Sequence, residues 1–203
     1  QGKSESLLKE PIQKIIKQSK GRVIFTTFAS NLGRLKVIAE AGEKSGRSIA
    51  VFGRAMNNML NKAKETGIFK EFPNLIDPRK AHIVPSENLL VIATGSQGEI
   101  RAASAQLSRG KYMGLEIGDG DTFVFSSKTI PGNEVAVNRV INNLSDKGVD
   151  VRYSDDRDFH VSGHTNIPEM MDFYKKVKPL LVFPMHGEIR HLLAHKKILA
   201  EKN

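Results

Sequence analysis

Residues 22–28 read Arg22-Val23-Ile24-Phe25-Thr26-Thr27-Phe28, with Ala29-Ser30-Asn31 directly after them. A run this rich in β-branched and aromatic side chains predicts a buried strand. Ser30 or Asn31 can then cap a helix running to about Ser45, by accepting from its first unpaired N–H groups. Gly46-Arg47 turns the chain into a second strand over 48–52, and a second helix covers 56–66. Strand, helix, strand, helix is the alternation that builds a parallel sheet covered by helices.

The pattern extends in both directions. Upstream, Leu7, Leu8, Ile12, Ile15 and Ile16 recur at helical spacing within 6–20. Downstream, 67–87 is irregular, with Pro73, Pro78 and Pro85 as breakers. A third strand over 88–93 ends in Thr94-Gly95-Ser96-Gln97-Gly98-Glu99 and gives way to a helical stretch to about Leu107. A fourth strand over 122–125 leads through a polar loop to a helix ending near Leu144, and 148–153 is another short strand. The expected class is α/β, a mostly parallel sheet flanked by helices. Ligands of such sheets bind outside the carboxyl ends of the strands. Four polar loops fall at those ends: 27–31, 94–99, 126–134 and 160–166.

Composition narrows the chemistry. The 203 residues contain no cysteine, which removes disulfides, thiolate metal sites and cysteine nucleophiles. Hydrophobic residues make up 39%, enough for a packed core. No segment approaches the roughly 18–20 continuous apolar residues of a membrane span. The polar start, Gln1-Gly2-Lys3-Ser4-Glu5-Ser6, is not a signal peptide and reads as the cut end of a longer chain. A cytoplasmic protein with no membrane partner is expected. With 31 basic and 22 acidic residues the formal charge is +9. That balance attracts polyanions such as RNA, and it equally describes a well-solvated surface.

The loops carry the candidate chemistry. Thr94, Gly95, Ser96 and Gln97 combine glycine with hydroxyl and amide groups at a strand end, where backbone N–H groups can approach phosphate oxygens. A plain turn with helix capping accounts for the same residues. Ser126 and Ser127 leave a strand, Pro131-Gly132 bends the chain, and Asn133 with Glu134 opens a helix, which capping alone would explain. Asp158-Phe159-His160-Val161-Ser162-Gly163-His164 sets two histidines, poised for proton transfer near neutral pH, beside a Ser-Gly pair. Leu180-Leu181-Val182-Phe183-Pro184-Met185-His186 reads as a buried strand delivering a histidine, a placement suited to a metal ligand. One histidine cannot make a zinc site. His191 and His195 share a helix face without a neighbouring glutamate, and read as solvated. Five of the six histidines lie beyond Asp155.

Six blocks in this order resemble the ribonuclease J family of β-CASP metallo-β-lactamase nucleases: TTFASNLGRL (26–35), GRAMNNML (53–60), IATGSQGE (92–99), FSSKTIPGNE (125–134), FHVSGHT (159–165) and FPMHGEIRHL (183–192). Ile100, Thr165 and Ile189 depart from the usual family pattern without removing a group assigned a role. The resemblance implies a β-CASP domain over 6–156. It implies that 157–203 is the return segment of the metallo-β-lactamase domain, a strand followed by a helix. It implies a zinc-dependent ribonuclease that trims RNA from a 5′-monophosphorylated end and can also cut internally, with two zinc ions in the full-length enzyme. By the same resemblance His164 is the catalytic histidine and His186 a zinc ligand. Substrate and phosphate contacts fall to His160, Ser162, Gly163, Ser30 and Asn31, with the 94–97 and 126–134 loops beside them.

The metallo-β-lactamase signature His-x-His-x-Asp-His is missing from the sequence, as is the acidic first β-CASP motif; both are expected before Gln1. The 203 residues are therefore expected to position RNA yet be inactive alone, with the N-terminal metallo-β-lactamase half as partner. A homo-oligomer is compatible with the full-length protein. Two other classes stand beside this reading: a non-catalytic RNA- or partner-binding module, and a phosphosugar isomerase-like enzyme whose hydroxyl-rich loops hold a sugar phosphate.

Overall fold

The computed structural model describes residues 5–153, 159–161 and 165–202. Their contacts divide them into two units, one within 3–163 and one within 164–203. In the first unit a 3-10 turn at Glu5–Leu8 leads into α1 (Lys9–Gln18). Pro11 sits in the first turn of α1, where a backbone N–H would have no helical partner in any case. The chain then alternates: β1 (Val23–Thr26), α2 (Leu32–Lys44), β2 (Ser48–Phe52), α3 (Arg54–Glu65), β3 (Leu75–Ile76), β4 (Leu89–Ala93), α4 (Ala103–Arg109), β5 (Thr122–Phe125), α5 (Glu134–Asp146) and β6 (Asp150–Arg152). The strands form one sheet in the order β3-β2-β4-β1-β5-β6, and every pairing is parallel.

The apolar strands follow from this architecture. β1, β4 and β5 are buried at every position, so they read as unbroken hydrophobic runs instead of alternating ones. Successive side chains face opposite layers. Val23, Phe25, Leu90, Ile92 and Val124 pack with Ile12, Ile16, Leu35, Ile38, Met56 and Leu60 from α1, α2 and α3. Ile24, Val91, Phe123 and Phe125 pack with Ala103, Leu107, Val137, Val140 and Leu144 from α4 and α5. Each such large side chain contributes about 1.5–3 kcal/mol when fully buried. The short strand β3 and two 3-10 turns, Pro78–Ile83 and Ser86–Asn88, occupy the stretch expected to be irregular.

The topology creates a crevice. From β1 the chain crosses through α2 toward β2, on one side of the sheet. From β4 it crosses through α4 to β5, on the opposite side. The two connections leave neighbouring strands in opposite directions, which is where parallel sheets place ligands. The register aligns Thr26 with both Ala93 and Phe125, so Thr27, Thr94 and Ser126 leave the sheet side by side.

In the second unit α6 (Ile167–Val177) and α7 (Ile189–Lys202) are the regular elements among the described residues. Sequence reading missed α6, although its start is marked. Asn166 accepts from Glu169 N while the Glu169 side chain accepts from Asn166 N, and Pro168 sits in the first turn. The strand expected over 180–184 does not form. No described segment of this unit offers a strand to pair with, so the run stays irregular. Leu180 is 100% exposed, and Leu181, Phe183 and Met185 also face solvent. No helix among the described residues is long and apolar enough to cross a membrane.

Candidate functional site

Three polar loops meet at the carboxyl ends of β1, β4 and β5. Thr26 Oγ1 donates to the Ala93 carbonyl (3.1 Å), and Thr27 Oγ1 donates to the Ser126 carbonyl (3.2 Å). These bonds tie the first residues of each loop across the strand ends. Asn31 caps α2 as expected, its Oδ1 accepting from Arg34 N (3.0 Å), and Ser30 beside it is exposed.

Gln97 joins the second loop to the third. Its Nε2 donates to the Lys128 carbonyl (3.1 Å), while its Oε1 accepts from Ile130 N (2.8 Å) and Asn133 Nδ2 (3.2 Å). Both ends of this amide are thus engaged within the protein. Asn133 stands at the N-cap position of α5, but its side chain turns to Gln97 and makes no cap bond. Glu134 accepts from Gly132 N (2.7 Å) and shapes the exposed bend. Ser96 is buried; Thr94 accepts weakly from Ala103 N (3.4 Å), and the Gly95 carbonyl accepts from Ser104 Oγ (2.6 Å). At Gly98 φ is +76°, and a Cβ there would collide with the Ala136 backbone, so only glycine lets this loop lie against α5.

A buried arginine joins the third loop to the segment around His160. Arg34, in the first turn of α2, is fully buried. Its Nη1 donates to the Ser126 carbonyl (2.6 Å), the Ser126 hydroxyl (2.8 Å) and the Phe159 carbonyl (2.9 Å). Its Nε and Nη2 donate to the two carboxylate oxygens of Glu5 (2.7 and 3.0 Å). Asn31 Nδ2 also donates to Glu5 (3.2 Å), and Ser126 Oγ donates to the Phe159 carbonyl (2.6 Å). The sequence offered one overlooked signal for Arg34. It lies four residues before Ile38 and seven before Ala41, so a cation occupies the apolar stripe of the helix. Nothing in the sequence marked Glu5 as its partner.

The residues next along each strand of this latch are polar and unsatisfied. Ser127 Oγ and His160 Nδ1 are both buried without a hydrogen-bond partner among the described residues. Burial and then the Arg34 charge push the His160 imidazole below its ordinary value of 6.5; the Glu5 carboxylate opposes them and Lys128 adds to them. Burial raises the Glu5 carboxyl, but hydrogen bonds and charge from Arg34, with a bond from Asn31, outweigh it and hold it below 4.5. At neutral pH the site holds an ionised Glu5–Arg34 pair beside a neutral imidazole and an unpartnered hydroxyl. Unsatisfied buried polar groups are uncommon and call for a ligand or water.

Ser162, Gly163 and His164 lie outside the described residues. In the second unit His186 adopts a left-handed backbone, φ +59°, and stands in the irregular run before α7. His191 Nδ1 accepts from Glu188 N (3.2 Å) and His195 Nε2 pairs with the Tyr174 hydroxyl (2.9 Å). These two histidines therefore hold the start of α7 and its contact with α6, and are not merely solvated. No group of three His, Asp or Glu side chains that could share a metal occurs among the described residues, so His186 alone does not fit a zinc site.

Comparison with known proteins places these features. Residues 20–144 match the family described as "Ribonuclease J, beta-CASP domain". Residues 148–203 match "Zn-dependent metallo-hydrolase RNA specificity domain". Ribonuclease J of Sinorhizobium meliloti is 39% identical over 195 residues, covering 96% of this chain and 35% of that protein. Ribonuclease J 1 of Streptococcus pyogenes is 39% identical over 193 residues, 95% of this chain and 34% of that protein. Ribonuclease J of Synechocystis is 37% identical over 196 residues, 96% of this chain and 31% of that protein. The chain spans about a third of the length of these curated relatives.

Proposed function

Because this chain belongs to the ribonuclease J β-CASP family, we propose that it is the RNA-positioning part of a zinc-dependent ribonuclease. In this reading residues 6–156 form the β-CASP domain, and 157–203 return to a metallo-β-lactamase domain whose other half lies outside these residues. The whole enzyme would be a cytoplasmic hydrolase of RNA phosphodiesters that favours a 5′-monophosphate, and a homo-oligomer fits it.

The observation that carries the reading is the pair of unpartnered buried polar atoms, Ser127 Oγ and His160 Nδ1, at the carboxyl end of a parallel sheet. A phosphate oxygen reaching either atom would supply the partner that it lacks. Ser127 can donate its hydroxyl, and His160 can donate from its ring. A phosphate would also raise the depressed imidazole and favour its charged form. Lys128, exposed in the same loop, adds charge where phosphates enter. By the family resemblance Ser162 and Gly163 would add phosphate contacts, and the 94–97 loop stands at a neighbouring strand end. Gln97 serves it indirectly, by fixing the 126–134 loop.

His164 would stabilise charge on the scissile phosphate or pass a proton to the leaving oxygen. Zinc, two ions in the whole enzyme, would activate the attacking water. His186 would be one ligand, with the rest from sequence these residues do not contain. On this chain alone no step runs through the metal.

The test is to titrate the 203-residue chain with a labelled 5′-phosphorylated oligoribonucleotide at several salt concentrations, with zinc, manganese or magnesium present. Weak binding with a log–log salt slope of roughly −0.7 per phosphate engaged is expected, without hydrolysis. Salt-independent affinity, or turnover abolished by His186→Ala, contradicts the reading.

A further inference from the structure

Arg34 makes no hydrogen bond to the side chains of Ser127 or His160 themselves, yet among the described residues it is the largest fully buried side chain. A cation at that depth persists only when paired and hydrogen-bonded, and an apolar side chain could fill the same space at less cost. Each of its three side-chain nitrogens is engaged. The bonds reach across 29, 92 and 125 residues of sequence. They join the turn at Glu5–Leu8, the start of α2, the end of β5 and the segment at 159–161. Their targets are specific. The two carbonyls held by Nη1 belong to Ser126 and Phe159, the residues immediately before Ser127 and His160.

We propose that Arg34 is the positioning residue of the phosphate site: with Glu5 balancing its charge, it fixes the Ser126 and Phe159 carbonyls and so sets where the Ser127 hydroxyl and the His160 imidazole are presented. This rests on the phosphate-binding reading. The guanidinium fork is the active feature, since one nitrogen serves two carbonyls and a hydroxyl while the other two grip a carboxylate. An ammonium in its place keeps the charge and loses that geometry. Glu5 cancels the buried charge at its source, so phosphate is drawn to His160 and Lys128 and not to Arg34 itself.

The experiment compares the 203-residue chain with its Arg34→Lys and Glu5→Gln variants, each checked for folding by far-UV circular dichroism. Two quantities are read: affinity for a short 5′-phosphorylated oligoribonucleotide and for inorganic phosphate, and the His160 titration midpoint by NMR. His160 faces Arg34 on α2, Glu5 on the leading turn and Lys128 in the 126–134 loop. Arg34→Lys is expected to weaken RNA binding about tenfold, the scale of one misplaced polar contact, and to move the His160 midpoint. Glu5 is a third exposed, and Glu5→Gln keeps a side-chain carbonyl to accept from Arg34 while water reaches the position, so it perturbs the fold less than a change at Arg34 itself. It is expected to lower the His160 midpoint and weaken binding severalfold. This second variant keeps the test decisive if Arg34→Lys does not fold. Wild-type affinity and an unmoved midpoint in the folded variants overturn the assignment of Arg34 alone. If the wild-type chain binds neither probe, the phosphate reading falls and the positioning role falls with it.

Discussion

At the amino end of the sheet, Arg47 holds four backbone carbonyls with one guanidinium. Its Nη1 donates to Gly21 (2.7 Å) and Leu89 (3.1 Å), and its Nη2 to Ile16 (3.0 Å) and Ser19 (2.7 Å). The end of α1, the entry to β1 and the first residue of β4 thus share one donor. Arg47→Met keeps the apolar stem and removes that donor. Three of the four bonds are buried, and only the one to Ser19 can readily be replaced by water. Each buried carbonyl left unsatisfied costs roughly 1–3 kcal/mol. The guanidinium is itself penalised by burial, which lowers its pKa against the opposing charge of Glu87, so its removal returns part of that loss. The net expectation is about 3–5 kcal/mol of lost stability. At ~2–4 °C per kcal/mol for a unit of this size, the melting midpoint falls by roughly 6–20 °C. Far-UV circular dichroism during heating and urea titration measures both values. Arg47→Lys, with three donors on a single nitrogen, recovers less than half. A loss under about 1 kcal/mol for Arg47→Met would refute the claim that these carbonyls depend on the arginine.

Acid destabilises the first unit in two windows. The depressed His160 lets the unfolded chain take up the proton first, so stability falls as pH drops below 6.5 until the lowered folded value is passed. The depressed Glu5 contributes fully above 4.5 and loses that contribution as pH falls through its lowered folded value. Urea midpoints against pH should lose the first window in His160→Gln and the second in Glu5→Gln; parallel curves for all three proteins contradict both. Gly98→Ala forces a Cβ into the Ala136 backbone at φ +76° and should cost about 2–4 kcal/mol; an unchanged thermal midpoint rejects that packing. In a full-length relative carrying the same blocks, the equivalent of His164→Ala should keep zinc and RNA affinity yet slow single-turnover cleavage by about 10²–10⁴-fold, while that of His186→Ala should also lose zinc. Wild-type cleavage without His164 makes it a structural histidine.

Most of the sheet is legible in the sequence because its central strands are buried on both faces. A run such as 22–26 can then be little else once Asn31 and an apolar helical stripe follow it. Strand ends, and therefore the loops of the site, come with the same reading. What the loops do to one another does not. Gln97 looks like a phosphate donor until its amide is seen holding Lys128, Ile130 and Asn133. Asn133 looks like a helix cap until its side chain is drawn to Gln97. The Glu5–Arg34 pair spans 29 residues and two elements, so no local pattern announces it. The run at 180–184 fails for the complementary reason. Its composition specifies a strand, but a strand exists only beside another, and among its own unit's described residues there is none.

The central strand β1 has a consequence for how the protein is made. Its two neighbours, β4 and β5, both come later in the chain; the register of Val23 with Leu90 and with Thr122 separates the partners by roughly 70 and 100 residues. At synthesis rates of about 5–20 residues per second, β1 leaves the ribosome and waits several seconds or more with both edges open. For that interval Val23-Ile24-Phe25-Thr26 is an uncharged, aromatic-containing segment with unpaired N–H and C=O groups on each side, the kind of sequence that pairs with strangers. Before β4 emerges, α1, α2 and α3 can cover one face of it but neither edge. Slow non-local pairing of this kind is also what delays refolding in a test tube. A nascent chain stalled before residue 125 should accordingly be more prone to aggregation, and a better chaperone client, than one released only twenty residues later.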